Sequence, residues 1–143
     1  MCESRRKADV MSDDNKGYRF SFGPWNINEG NDPFGPTVRP TLSFGKKLGH
    51  YKALGFEGVQ FHDDDAVPEL EGLSPKQLKE KAGEMKRILD GEGLVCEFIA
   101  PRLWEDKRGI DGGFTANDPK VREWAFDRAK KCADIAGALD CNM

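Results

Sequence analysis

The chain has 143 residues, 22 Lys and Arg against 25 Asp and Glu, and a mean hydropathy of −0.67, a length that suits one ordinary domain. Its net charge of −3 is small and of mixed sign, which excludes a sequence-independent attraction to nucleic acid, and the Arg5-Arg6-Lys7 cluster is too short to reverse that. No apolar run is long enough to span a membrane, and Cys2, Cys96, Cys132 and Cys141 lack CxxC spacing, so reduced thiols in a cytoplasmic protein are expected rather than disulfides or a zinc site.

Residues 1–17 are polar and charged without an apolar h-region, which predicts a disordered tail and no secretory signal. An apolar run at 20–25 predicts the first strand. A helix is expected after Pro40, with Leu42 or Phe44, Leu48, Tyr51 and Leu54 on its inner face and Gly55 as its left-handed end. The apolar run at 59–61 predicts a second strand that stops at His62. Ser74 with Gln77 forms a capping-box pattern and Pro75 suits the first helical position. Leu78, Ala82, Met85 and Leu89 then share one face, and Gly91 and Gly93 are expected to end this helix. A third strand is predicted at 94–100. A third helix is capped by Asn117 or Asp118, with Val121, Trp124, Ala125, Arg128, Cys132, Ile135 and Leu139 near one stripe that a single Arg interrupts. Asp140 predicts a turn, and a fourth strand opens at Cys141-Asn142-Met143. Strand, loop and helix in this order predict an α/β fold with a parallel sheet and right-handed crossovers. The phosphate-cradling patterns GxGxxG and P-loop are absent.

Chemistry is expected where the second strand ends, at His62-Asp63-Asp64-Asp65, because functional residues of α/β enzymes sit beyond the carboxyl ends of parallel strands. An imidazole exchanges protons near neutral pH, and a carboxylate on one ring nitrogen fixes its tautomer. Asp65 is the better partner: Asp63 diverges from His62 on extended backbone, whereas a tight turn returns Asp65 to the ring. A structural histidine beside a solvated acidic loop, or helix-capping aspartates, is the alternative. The three adjacent carboxylates are not read as a metal site, since an extended loop cannot aim them all at one ion and the spacing is not that of an EF-hand. Trp25, at the expected end of the first strand, reads either as a pocket wall or as a core residue at the rim, and Phe34 as a turn-anchored apolar residue.

The blocks FSFGPW (20–25), NDPFG (31–35), GFEGVQFHDDD (55–65) and DGGFTANDPKVREWA (111–125), in this order and spacing, resemble the xylose isomerase family. The resemblance implies a metal-dependent aldose–ketose isomerase interconverting D-xylose and D-xylulose on a (β/α)8 TIM barrel. Because such a barrel needs roughly 250 residues, residues 18–143 would be its N-terminal portion, three βα units and the start of strand four. It further implies that His62 helps to open the sugar ring while Asp65 orients it. Two divalent cations, Mg, Mn or Co, would then polarise the oxygens at C1 and C2 for a hydride shift, with ligands beyond residue 143, so the fragment alone is expected to be inactive. Trp25 and Trp104 would line the sugar pocket, and Phe34 would enter the site of a neighbouring subunit in a homo-oligomer, a dimer or tetramer. Ala100-Pro101-Arg102-Leu103-Trp104 departs from the Thr, Asn and Phe common in the family, which bears on the identity of the sugar. Arg102 reads as a surface ion-pair residue or as a bidentate anchor for an anionic substrate group. Competing readings are another enzyme on the same barrel type, such as a sugar epimerase or metal phosphodiesterase, and a non-catalytic fragment.

Overall fold

A computed structural model of the chain describes residues 17–27 and 38–141. Phe34, NDPFG, most of the N-terminal tail and the last two residues of the expected fourth strand lie outside the described residues. The architecture is α/β. Strands β1 (Ser21–Phe22), β2 (Gly58–His62) and β3 (Val95–Ala100) form a parallel sheet in the order β1-β2-β3. Helix α1 (Phe44–Ala53) joins β1 to β2, and a one-turn helix α2 (Asp63–Ala66) with the long α3 (Pro75–Glu92) joins β2 to β3. Helix α4 (Pro119–Ala138) follows β3. Among the described residues no helix is long and apolar enough to cross a membrane.

The alternation of β2 divides the sheet into two faces. Val59 and Phe61 are fully buried against Leu48 and Tyr51 of α1, Leu78, Ala82 and Leu89 of α3, and Ile135 and Leu139 at the end of α4. Burying each large side chain contributes about 1.5–3 kcal/mol, so this layer holds the helices on one side of the sheet. Gln60 points the other way. Its amide donates to Ser21 Oγ at 2.9 Å and to Glu97 Oε2 at 3.0 Å, and the Ser21 hydroxyl donates to the same carboxylate. These bonds hold the Glu97 carboxyl below its usual range. Val59 pairs with Cys96 but Gln60 pairs with Phe98, so Glu97 is an extra residue in β3. The bulge turns β3 at that point and leaves His62 opposite Ala100.

Helix α3 forms where the capping signals place it. Ser74 accepts from Gln77 N at 3.4 Å, Gln77 Oε1 accepts from Ser74 N at 3.0 Å, Pro75 opens the helix, and Leu78, Ala82, Met85 and Leu89 are buried. Gly91 does not end it. The helix runs on to Glu92 and stops at Gly93, whose φ of +64° is the left-handed conformation the end requires. In α1, Leu48 and Tyr51 are buried as expected, but Leu54 lies past the last turn and is exposed. The first strand is shorter than its apolar run, because Gly23 and Pro24 divert the chain into a 3-10 turn, Pro24–Asn26, that carries Trp25. Asp118 caps α4 by accepting from Lys120 N at 2.9 Å.

Candidate functional site at the end of strand two

His62 is the last residue of β2, and Asp63, Asp64 and Asp65 form the helical turn α2 directly after it. The aspartates are therefore not on an extended loop. Successive residues of a helix are rotated by about 100°, and the three carboxylates accordingly face different partners.

Asp65 comes back to the histidine. Its Oδ2 lies 3.0 Å from His62 Nδ1 and accepts the His62 backbone N–H at 3.1 Å, a closure over three residues of the kind expected from the sequence. The Trp25 ring stands 4.6 Å from the imidazole at an interplanar angle of 37°, and the Trp104 ring 5.0 Å away at 77°. The structure thus brings His62, Asp65, Trp25 and Trp104 together. Trp25 reaches the ring from its 3-10 turn rather than from a strand end, and a Cβ on Gly23 would overlap its indole, so that position needs glycine. The Tyr51 hydroxyl donates to Gly23 O at 3.2 Å, which fixes this turn on α1. Burial, with the Asp65 charge in support, pushes the Tyr51 phenol up to about 12.

Asp63 turns inward and has no exposed surface. Its Oδ2 accepts from Arg128 Nε at 2.7 Å, and its Oδ1 from Arg128 Nη2 at 2.8 Å, from Arg102 N at 3.0 Å and from Asp64 N at 3.0 Å. This buried pair locks the end of β2 to α4 and to the loop after β3. Arg128 Nη2 also donates to Asp64 Oδ2 at 3.1 Å. Its guanidinium is held above its ordinary pKa by the hydrogen bonds it donates to Asp63, against the effect of burial. The sequence signal for Arg128 was the charge that interrupts the apolar stripe of α4; only the fold supplies its partner.

Arg102 sits above the turn. Nη2 donates to Asp65 Oδ1 at 2.8 Å, Nη1 donates to Glu105 Oε1 at 3.1 Å, and Nε lies 2.9 Å from Asp64 Oδ1. Nη2 is also 2.9 Å from His62 Nδ1. Partial burial works against the guanidinium charge, and Asp65, Asp64 and Glu105 outweigh it, so the group is held above its usual pKa. Arg102 is thus an ion-pair residue, as one of the two expectations had it, though a partly buried one beside the histidine, and three carboxylates engage its guanidinium.

Among the described residues, no group of three or more His, Cys, Asp and Glu side chains could hold a metal ion. The aspartates of α2 are taken up by Arg102, Arg128 and backbone N–H groups, which is the wrong chemistry for a cation site.

Over 130 residues, 88% of its length, the chain is 37% identical to a xylose isomerase from Thermus caldophilus. Over 127 residues it is 33% identical to a xylose isomerase from Thermus thermophilus, again covering 88% of the chain. The chain belongs to the xylose isomerase family. It spans 32% of the length of each of these curated relatives. No family model matches the chain.

Proposed function

We propose that the chain is the N-terminal portion of a (β/α)8 barrel, residues 18–143, in a metal-dependent aldose–ketose isomerase that interconverts D-xylose and D-xylulose. The observation that carries this reading is the placement of His62 at the carboxyl end of β2, with Asp65 at 3.0 Å and the Trp25 and Trp104 rings beside it, in a chain whose relatives are named xylose isomerases. In this reading His62 and Asp65 are the catalytic pair. Asp65 accepts the hydrogen bond of Nδ1–H and orients the ring, and Nε2 accepts the proton of the anomeric hydroxyl. The C1–O5 bond then opens with its electron pair going to O5, C1=O1 forms, and Nε2 returns the proton to O5. Trp25 and Trp104 pack on the apolar C–H face of the sugar and exclude water. Phe34, outside the described residues, completes the pocket of a neighbouring subunit in a homo-oligomer. The divalent cations, Mg, Mn or Co, are assigned to residues not present in this chain, since its own aspartates are engaged elsewhere, and the enzyme is assigned to the cytoplasm.

The test is conversion of D-xylose to D-xylulose by the full-length protein supplied with divalent cation, followed by a ketose-specific assay. Activity that falls in His62→Asn while metal binding is retained is the expected result. A full-length protein that binds cation but isomerises no aldose, or a His62→Asn variant that loses its metal, would refute the reading.

A further inference from the structure

One nitrogen of His62 has two neighbours with opposite demands. Asp65 Oδ2, 3.0 Å from Nδ1, can only accept a proton; Arg102 Nη2, 2.9 Å from the same atom, can only donate one. Nδ1 satisfies one of them at a time. If Nδ1 carries the proton, it donates to Asp65 and sets its own N–H against that of the guanidinium. If Nδ1 carries the lone pair, it accepts from Arg102, and the proton of the neutral ring resides on Nε2.

The surroundings favour the second arrangement. Asp65 does not depend on the ring: Oδ2 already receives the His62 backbone N–H at 3.1 Å, and Oδ1 receives Arg102 Nη2 at 2.8 Å. Its charge is therefore paired, and it pulls less on a ring N–H. Arg102, in contrast, cannot be deprotonated to relieve a clash, because a guanidinium stays charged. Its position is also fixed from several sides, by Asp64 at 2.9 Å, by Glu105 at 3.1 Å and by its own backbone N–H on buried Asp63 at 3.0 Å.

We propose that Arg102 is a positioning residue that holds neutral His62 as its Nε2–H tautomer, so that the ring faces the substrate as a hydrogen-bond donor rather than as a base. This rests on the ring-opening role proposed above. While the Arg102 contact lasts, Nε2 has no lone pair with which to take the anomeric proton. Ring opening then requires the Nδ1 partner to change from Arg102 to Asp65. Arg102 thereby sets how much of the enzyme is competent for cyclic sugar.

The experiment is 15N spectroscopy of the full-length protein labelled at histidine. It is run at alkaline pH, with His62 assigned by its loss in His62→Gln. Nδ1 is expected to resonate as the unprotonated, pyridine-like nitrogen in the wild type, and Nε2 in Arg102→Met, where Asp65 alone remains. With that change, the ratio of kcat on cyclic to kcat on open-chain sugar is expected to rise about tenfold, below the roughly 10²-fold that complete loss of a proton-transfer group costs. A wild-type ring protonated at Nδ1 overturns the proposal, and that spectrum decides even if Arg102→Met does not fold. So does an identical tautomer in the two proteins. Absence of isomerase activity in the wild type refutes the proposed function but leaves the tautomer result standing, so the two failures are distinguishable.

Discussion

Replacing Arg128 with Met tests whether the buried Asp63–Arg128 pair holds the site together. Asp63 has no exposed surface and Arg128 is 8% exposed; they are the buried charged residues among those described. Met keeps the apolar stem of the side chain, so the loss is chiefly that of the guanidinium. Removing one partner of a buried ion pair costs about 3–5 kcal/mol, because the other charge stays desolvated. Here Asp63 Oδ1 retains the N–H groups of Arg102 and Asp64, both at 3.0 Å, while Oδ2 loses its 2.7 Å bond to Arg128. That partial satisfaction puts the expected cost at the lower end, about 3 kcal/mol. Asp63→Asn should cost less, about 1–2 kcal/mol, since Arg128 keeps Asp64 at 3.1 Å and Glu71 at 3.4 Å. The assay is urea denaturation of the wild type, both single variants and the double variant, with the slopes compared before the midpoints. The double variant should be more stable than the sum of the singles predicts, because it leaves neither charge stranded. Additive costs, or an Arg128→Met variant within about 1 kcal/mol of the wild type, would show that the pair is screened and that α4 is held by its apolar stripe alone.

Replacing His62 with Asn or Asp65 with Asn should slow turnover of cyclic sugar about 10²-fold or more, a typical loss for a proton-transfer group, and turnover of open-chain sugar much less; equal losses on both forms, measured with chemically trapped open-chain substrate, would contradict the ring-opening role. Phe34→Ala should raise KM or lower kcat with the fold retained, and mixing Phe34→Ala with His62→Asn subunits should recover part of the activity if the phenylalanine acts in a neighbour's pocket; no recovery in verified mixed oligomers would leave Phe34 a local anchor. At acid pH, the hydrogen bond from Arg108 lowers the Asp106 carboxyl from 3.8 to about 2. For Glu71, burial acts upward, and the bonds from Trp124 and Arg108 outweigh it, so its carboxyl also sits low. A folded-state pKa below the unfolded value contributes stability above the unfolded value and loses it as pH falls through the folded one. The stability gap between the wild type and Arg108→Met should therefore be constant near neutrality and close between about pH 4 and pH 2; a gap independent of pH in denaturation midpoints would refute the assignment.

Helix α3 was the most legible element because its signals are local. Ser74, Pro75 and Gln77 act within one turn, Leu78, Ala82, Met85 and Leu89 share a face by helical geometry, and Gly93 takes the positive φ that ends it. The misreadings arose where local preference competes with its neighbourhood. Gly91 weakens a helix but does not stop one already anchored by buried Leu89. The run at 20–25 is apolar enough for a longer strand, yet Pro24 removes a ladder donor and the backbone turns out after Phe22. Leu54 fits the helical spacing and is exposed, because α1 ends before its side chain can reach the core.

The candidate site divides along the same line, between contacts made within a turn and contacts made across the fold. His62 and Asp65 are three residues apart, so their approach followed from the expectation of a tight turn. Arg102 and Arg128 lie 37 residues and 65 residues from the aspartates they bind, Asp65 and Asp63, and no spacing rule links them. Yet the run of three aspartates already required such partners. A helical turn rotates adjacent carboxylates to different sides. Asp63 is driven into the interior, where an unpaired charge costs several kcal/mol. Two cations meet that requirement, the Arg on the apolar stripe of α4 and the Arg at the mouth of β3. Arg128 answers the structural need at Asp63. Arg102, arriving from the neighbouring carboxyl end of β3, reaches past Asp65 to the imidazole itself.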